Sequence, residues 1–249
     1  MKHFALYLFL LFFYSVVTGQ EIHVEYLNHY TKFSDFKEDL YIYNDVSVSI
    51  RDSVNLKNMD KSPKFDSPDE AIFFTNNKIH SVIIKKRNNK VIIKQYLDDI
   101  PYVISDRLPK INWEIKFSDK KNILGYECIK ATGTFRGSDI IAYFTPKIKY
   151  STGPYKFYGL DGLILEVYEA DNNFNHWVAT KLQFNPEKKR LDDFNYTQQA
   201  VTLKTFLDIE QAKKDEDFKK MTKNIPKDVK VTRNKIERTS IEKKYEWEQ

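Results

Sequence analysis

The chain has 249 residues, of which 40 are Lys or Arg and 35 are Asp or Glu, giving a formal net charge of +5. The two kinds of charge are interleaved along the chain, whereas a nucleic-acid-binding protein usually gathers its basic residues into one stripe, so we expect no nucleic-acid partner. Cys128 is the only cysteine, which excludes a disulfide within the chain, and we expect it to be a buried small residue rather than a reactive thiol.

The first 20 residues predict a secretory signal peptide. A short basic start at 1–3 precedes an uncharged apolar run over 4–17, and the polarity changes abruptly at Glu21. The apolar run is too short to cross a membrane as a helix, which needs about 20 such residues, and no later segment is apolar enough. We therefore predict a signal peptide over 1–20 and a single domain over 21–249. We expect the protein to be exported to the periplasm or outer envelope surface, and not to be an integral membrane protein.

Alternating apolar and polar residues dominate the middle of the chain. Residues 40–50 carry apolar side chains at every second position except across 44, which predicts one half-buried strand. Pairs of such segments flank turn residues and predict hairpins. The three hairpins are expected at 79–96 around Asn88-Asn89, at 126–145 around Arg136-Gly137-Ser138, and at 163–184 around Asp171-Asn172-Asn173. Successive hairpins favour an antiparallel sheet.

Two segments have helical patterns. Ser67 and the following Pro68, Asp69 and Glu70 predict a short helical turn. Thr202 suits the N-cap of a second helix with an apolar stripe at 203, 206, 207 and 209, running to Lys223 with a break near the acidic residues 215–217. The expected fold class is mainly β or α+β.

All glycines after the predicted signal peptide lie between Gly125 and Gly162, which marks this window as conformationally demanding. Within it, an aromatic loop with two prolines precedes an apolar strand. This loop is predicted either to be a rigid segment that plugs the open end of the sheet or to bind a ligand or partner. The candidate binding residues are Pro146, Tyr150, Gly153, Pro154, Tyr155, Phe157, Tyr158, Gly159, Leu160, Asp161 and Gly162.

The run Gly159-Leu-Asp-Gly-Leu-Ile resembles the naming motif of the GLPGLI family, exported proteins of Bacteroidota. The segments 125–131, 142–146 and 153–160 resemble further motifs of that family in the same order. Asp161 replaces the family's central proline and Tyr143 its usual tryptophan. The resemblance implies no established activity. It implies a curved antiparallel sheet, a bowl or half-barrel, with one or two helices packed against it. Lipoprotein carriers of the LolA/LolB type have the same general shape, but this comparison is an analogy of fold only.

Two histidines and a glutamate near the start of the domain could suggest a metal site. His23, Glu25 and His29 would share one face of a strand, but on a straight strand the two imidazoles lie about 20 Å apart, too far for one ion. We therefore predict no metal site and no cofactor.

Three functions remain open. The leading hypothesis is a non-enzymatic envelope protein that binds a lipid-like or other apolar ligand, or another envelope protein. One alternative is a hydrolase acting on peptide or glycan through Asp139, Asp161 and Glu166, although alternation predicts that Glu166 points to solvent. The other alternative is a structural module of an envelope complex.

Overall fold

The computed structural model describes residues 21–30, 34–43, 46–56, 81–86, 88–171, 175–186, 199–223, 225, 238 and 240–248. Strands make up 57% of the structure, and one α-helix packs on a large open sheet, which confirms the predicted fold class. The strands are β1 (Ile22–His29), β2 (Ser34–Tyr43), β3 (Val46–Leu56), β4 (Ser81–Lys86), β5 (Lys90–Leu97), β6 (Ile100–Arg107), β7 (Glu114–Ile123), β8 (Tyr126–Phe135), β9 (Ser138–Thr145), β10 (Leu163–Glu169), β11 (His176–Phe184) and β12 (Val201–Thr202), and the helix is α1 (Leu203–Thr222).

All twelve strands form one sheet in the order β12-β6-β5-β4-β3-β2-β1-β11-β10-β9-β8-β7. Every pairing is antiparallel except the short one between β12 and β6. The three predicted hairpins are confirmed as β4–β5, β8–β9 and β10–β11. Residues at the first two turns have the positive φ that tight hairpin turns need: Asn89 has φ 60°, and Arg136 and Gly137 have φ 45° and 85°. Residues 172–174 of the third turn lie outside the described part.

The prediction of a single strand over 40–50 is wrong. The chain reverses direction between β2 and β3, so that these residues form the facing ends of two strands, with Tyr43 opposite Val46. Residues that pair across strands share a face, so Leu40 lies beside Ser49, and Val48 faces the other side of the sheet. The apolar residues keep an even spacing from β2 to β3, but the faces exchange, which the pattern alone does not reveal.

The sheet curves into a bowl. Asp106 lies on β6, while Arg136 lies in the turn between β8 and β9, at least eight positions away in the strand order. Neighbouring strands are about 4.8 Å apart, so a flat sheet would separate these residues by about 38 Å. Instead, Arg136 Nη2 lies 2.8 Å from Asp106 Oδ1. The two ends of the sheet therefore approach each other across the concave face, as the family resemblance implied.

Helix α1 closes one end of the core. The Thr202 side chain caps it by accepting a hydrogen bond from Thr205 N at 3.1 Å, as predicted. Leu203 and Phe206 are buried, with the Phe206 ring 5.3 Å from that of Tyr102. The predicted break near 215–217 is wrong, because lysines four residues away pair with these acids within one continuous helix.

Several sequence predictions fall outside the described residues, namely the signal peptide over 1–20 and the helical turn at Ser67–Glu70. Within the described part, no helix has the length and apolar character needed to span a membrane. Cys128 is buried as predicted, and burial raises the pKa of its thiol to about 11. The thiol is therefore protonated at neutral pH.

Candidate functional site

The segment 146–162, which we call the bowl loop, connects β9 to β10 and lies across the concave face. Its backbone folds tightly against the sheet, since Ile164 N donates to Thr152 O at 3.0 Å. A Cβ atom on Gly162 would lie 2.3 Å from the Thr145 carbonyl oxygen, and one on Gly153 would lie 2.7 Å from Ile164 Cβ. Glycine is required at both positions because the backbone approaches its neighbours too closely for any side chain.

Aromatic and aliphatic side chains of the bowl loop fill the bowl. Phe157 is fully buried and Leu160 nearly so. The Phe157 ring lies 5.5 Å from those of Phe135 and Trp177, in edge-to-face contact with both. Tyr155 stacks on Trp177 at 5.6 Å. This packing fixes the bowl loop against the concave face of the sheet.

A buried charge cluster lies beneath the bowl loop. Lys156 Nζ is 3.1 Å from Asp106 Oδ2 and 2.9 Å from both carboxylate oxygens of Glu242. The Arg136 guanidinium contacts the same two carboxylates, with Glu246 at the rim. Burial alone would raise the pKa values of Asp106 and Glu242, but the two cations outweigh it and hold both pKa values below the ordinary range. Two buried cations therefore face two buried, ionised carboxylates.

This cluster also fastens the C-terminal segment to the bowl loop. The Tyr155 hydroxyl donates to Glu242 Oε2 at 2.5 Å, and proximity to that carboxylate adds to burial in raising the pKa of Tyr155. Lys243 N and Lys244 N both donate to the Arg136 carbonyl at 2.8 Å. The acidic, aromatic ending of the chain is thus part of the folded core.

Two charged side chains of the sheet hold the bowl loop from below. Glu38 on β2 accepts hydrogen bonds from the backbone N–H of Tyr155 and, at 2.9 Å, from Trp177 Nε1. Lys85 on β4 donates from Nζ to the carbonyl oxygens of Gly153 and Phe157, the latter at 3.3 Å. Burial lowers the pKa of Lys85 to about 7, although the charge of Glu38 opposes this shift.

A cleft of about 510 Å³ opens between one side of the bowl loop and strands β3 to β5. Its floor is the buried side of the sheet, and its mouth carries exposed polar groups. The lining residues are Ile42, Val46, Ser47, Lys85, Lys86, Asn89, Val91, Leu108, Lys149, Tyr150, Ser151, Thr152, Tyr158 and Gly159. Three cationic side chains and no carboxylate belong to this set.

The structure divides the predicted binding residues into two groups. Tyr150, Tyr158 and Gly159 line the cleft. The other eight do not: Gly153, Pro154, Phe157, Leu160 and Gly162 are buried, Tyr155 is half-buried, and Pro146 and Asp161 are exposed elsewhere. Most of the predicted site is therefore packing.

Sequence reasoning missed the residues that the sheet contributes to the cleft, above all Lys85. One signal was present. Along β4, Lys85 is two residues from Ile83, so alternation places a lysine on the same inward face as a core residue. A charged residue at an inward position is uncommon unless it has a partner or a function.

The three candidate hydrolase carboxylates are not brought together. Asp139 lies at the start of β9 and lines a different cleft of about 470 Å³. Asp161 lies on the exposed surface beyond the other end of that strand, about 20 Å away along the strand direction. The prediction that Glu166 points to solvent is wrong: it is buried and paired with Lys121 and with His176 at 2.8 Å. Cross-strand partners cover this face of the sheet.

Within the described part of the chain, one group of side chains has metal-ligand spacing. His23, Glu25 and Asp39 place their ligand atoms within 4.8 Å of one another. His23 Nε2 is 2.8 Å from Asp39 Oδ1, whereas His29 pairs with a different carboxylate. Lys37 Nζ lies 3.3 Å from Glu25 Oε2, so an ammonium group already balances these acids. The contacts describe an ion-pair network.

No family model matches the chain, and no curated protein matches it. Among solved structures, PNGF-II is similar in two crystal forms, C2 and P21, with TM-scores of 0.50 and 0.51 and 19% sequence identity. Each match covers 78% of this chain and 33% of the other, so this chain spans about a third of the length of PNGF-II. An uncharacterized conserved protein from Thermus thermophilus matches with a TM-score of 0.39 and 10% identity, over 75% of this chain and 91% of that one. At these identities, the likeness to PNGF-II establishes a shared fold and nothing about activity.

Proposed function

We propose that the protein is an exported envelope protein of the GLPGLI type that works by binding a small ligand in the cleft, without catalysing a reaction. The cleft itself carries this proposal. Its walls are fixed before any ligand arrives, because the bowl loop is anchored by Glu38 and Lys85 from below and by Gly162 at its end. Preformed clefts of several hundred cubic ångströms, apolar with a few convergent polar groups, are typical small-molecule sites.

The filled bowl changes where an apolar ligand would bind. Phe157, Leu160 and Trp177 occupy the centre of the concave face. The described residues leave no space equivalent to the one in which a carrier holds its ligand deep inside a hollow sheet. The ligand is instead proposed to lie at the side of the bowl loop, against Tyr150 and Tyr158.

The hydrolase alternative receives no support from the geometry. A glycosidase or acid-catalysed hydrolase needs two carboxylates facing one substrate, within about 10 Å of each other. The candidate acids Asp139, Asp161 and Glu166 lie on different surfaces of the sheet.

Native mass spectrometry of the mature protein purified from its own periplasm tests the proposal. We expect a native adduct that disappears when the same sample is denatured. Ser151→Trp should remove the adduct, because Ser151 is an exposed residue on the cleft wall and an indole there would fill the mouth.

Ser151→Ala is the matched control. It loses the same hydrogen bond, which Gly159 N donates to Ser151 Oγ at 3.1 Å, but adds no bulk, and should keep the adduct. Wild-type protein at its bare mass, or an adduct that survives in Ser151→Trp, would contradict binding in the cleft. A bare protein would shift the search to another envelope protein as the partner.

A further inference from the structure

The charge of the cleft differs from that of the chain. Basic and acidic residues are nearly balanced overall, at 40 against 35. Among the described residues, the cleft lining contains Lys85, Lys86 and Lys149 and not one Asp or Glu. Lysines on the exposed surface of α1, by contrast, have acidic partners, as in the pair between Lys204 and Asp208. The described lining of this concave site therefore has a local excess of positive charge, which low-dielectric walls strengthen.

Lys85 is the fixed member of the three. It is 6% exposed, and the carbonyl oxygens of Gly153 and Phe157 hold its ammonium group in place. An ammonium group has three donors, and these two bonds use two of them. Carbonyl oxygens do not neutralise the charge, and desolvation therefore lowers the pKa of Lys85 to about 7. An anion beside Lys85 would offset this desolvation.

Lys86 and Lys149 lie at the exposed mouth of the same cleft, one on β4 and one on the bowl loop. Both are lining residues, so an anionic group in the cleft would lie near them as well as near Lys85. Their long side chains can adjust to the position of the anion, whereas the position of Lys85 is set by the fold.

The remaining wall is apolar and rigid. Ile42, Val91 and Leu108 are buried side chains at the floor. The Tyr158 ring is fixed, because its hydroxyl donates to Pro109 O at 2.9 Å and its carbonyl accepts from Trp113 Nε1 at 2.9 Å. An aromatic or aliphatic group would be desolvated against these residues.

We propose that the cleft binds a small amphiphile that carries an anionic group, with the anion at Lys85, Lys86 and Lys149 and the apolar part against Tyr158 and the floor of the cleft. This inference rests on the proposed function, since it assigns the ligand class of the same site. It replaces a purely apolar ligand by one with a negative charge.

A pair of probes tests the inference. Anilinonaphthalene sulfonate and phenylnaphthylamine share their aromatic rings and differ by the sulfonate, and both fluoresce more strongly in an apolar site. We expect the sulfonate to bind the mature protein about tenfold more tightly at low ionic strength, which corresponds to about 1.4 kcal/mol. Because the mouth is solvated, salt should reduce this preference.

The double variant Lys86→Gln with Lys149→Gln should bring the affinity for the sulfonate close to that for the neutral probe, whose own affinity should not change. Lys204→Gln with Lys214→Gln on the exposed side of α1 is the control and should change neither probe. Equal affinities of the two probes for the wild type would overturn the inference. So would a preference for the sulfonate that the Lys86 and Lys149 variant retains.

The same titration separates this inference from the proposed function. If both probes bind equally and Ser151→Trp abolishes both, the cleft is a binding site but not an anionic one. If Ser151→Trp leaves the binding of the sulfonate unchanged, the probe binds outside the cleft and the inference fails, while the native adduct still decides the proposed function. If neither probe binds the wild type, the ligand class is wrong, and the native adduct alone decides the proposed function.

Discussion

Lysine side chains on the two sides of the bowl loop have different partners. On the side toward the C-terminal segment, Lys156 lies between the carboxylates of Asp106 and Glu242. On the side toward the cleft, Lys85 is held by carbonyl oxygens, and Lys149 belongs to a lining whose described residues include no acid. One side is closed and electrically balanced, and the other is open and positive.

This difference distinguishes a structural lysine from a binding one. A buried ion pair with all its partners holds the fold in one arrangement, and removing one partner leaves an uncompensated charge. A cation that is held by carbonyl oxygens and has a donor to spare is available to a ligand. The sequence distance between Lys149 and Lys156 is only seven residues, so position along the chain does not predict which role each has.

Lys156→Met should have the largest effect on stability. The substitution keeps most of the volume but leaves Glu242 and Asp106 with Arg136 as their one buried cation among the described residues. Breaking a buried pair in this way typically costs about 3 kcal/mol in the free energy of unfolding, measured by urea denaturation. Lys204→Met on the exposed side of α1 is the control and should cost less than about 0.5 kcal/mol. A loss below about 1 kcal/mol for Lys156→Met would mean that the cluster does not hold the closed side.

Gly162→Ala should have the second-largest effect on stability. The added methyl group would displace the backbone at the end of the bowl loop, and both sides of the loop depend on that backbone. The new Cβ would lie 2.3 Å from the Thr145 carbonyl oxygen and 2.8 Å from its carbonyl carbon, and both atoms belong to the end of β9. We expect a loss of about 2 kcal/mol from backbone shifts, together with weaker binding at the cleft. Gly125→Ala is the comparison: it has open space around it and positive φ, so its cost should stay near about 1 kcal/mol and binding should be unchanged. Equal losses would show that steric contact at Gly162 is unimportant.

Lys85, on the open side of the bowl loop, should make the free energy of unfolding depend on pH. Lys85 has a folded-state pKa of about 7, whereas the pKa of an unfolded lysine is about 10.4. Between these values the unfolded chain binds more protons, so the free energy of unfolding should rise with pH by about 1 kcal/mol per unit. Below pH of about 7 both states are protonated and this contribution is constant.

Urea denaturation between about pH 7 and pH 8.5 measures this slope. The upper limit avoids the region where Cys128, whose pKa is raised to about 11, would act in the opposite direction. Lys85→Met has no titrating amine and should show a smaller slope by the predicted amount. Identical slopes in the two proteins would mean that the Lys85 ammonium is not desolvated.

Local chemistry made the architecture predictable. Asn89 and Gly137 adopt the positive φ that their residue types favour, so the hairpins could be placed from a few neighbouring residues. The cap at Thr202 was predictable for the same reason. The strand over 40–50 was not, because the short connection between β2 and β3 exchanges the two faces without changing the spacing of apolar residues.

The candidate site was only partly predictable, because long-range pairing builds it. Tyr150 and Tyr158, two of the predicted binding residues, line the cleft, but Lys85 reaches the loop through the pairing of β4 with β3 and the curvature of the sheet. The charge cluster is equally remote in sequence, since Arg136 and Glu242 are 106 positions apart. The residue pattern of one segment does not reveal its contacts with segments that are far away in sequence.

Lys149→Met should have the smallest effect on stability and is the sharpest test of the two-sided comparison. Lys149 is exposed and lines the cleft, so the free energy of unfolding should change by less than about 0.5 kcal/mol, against about 3 kcal/mol for Lys156→Met. Affinity for anilinonaphthalene sulfonate, measured by fluorescence titration, should nevertheless fall severalfold, because one of three cations is lost from a partly desolvated site. The reverse pattern, with Lys149→Met unfolding the protein or Lys156→Met alone weakening binding, would show that the charges on the two sides of the bowl loop do not have separate roles.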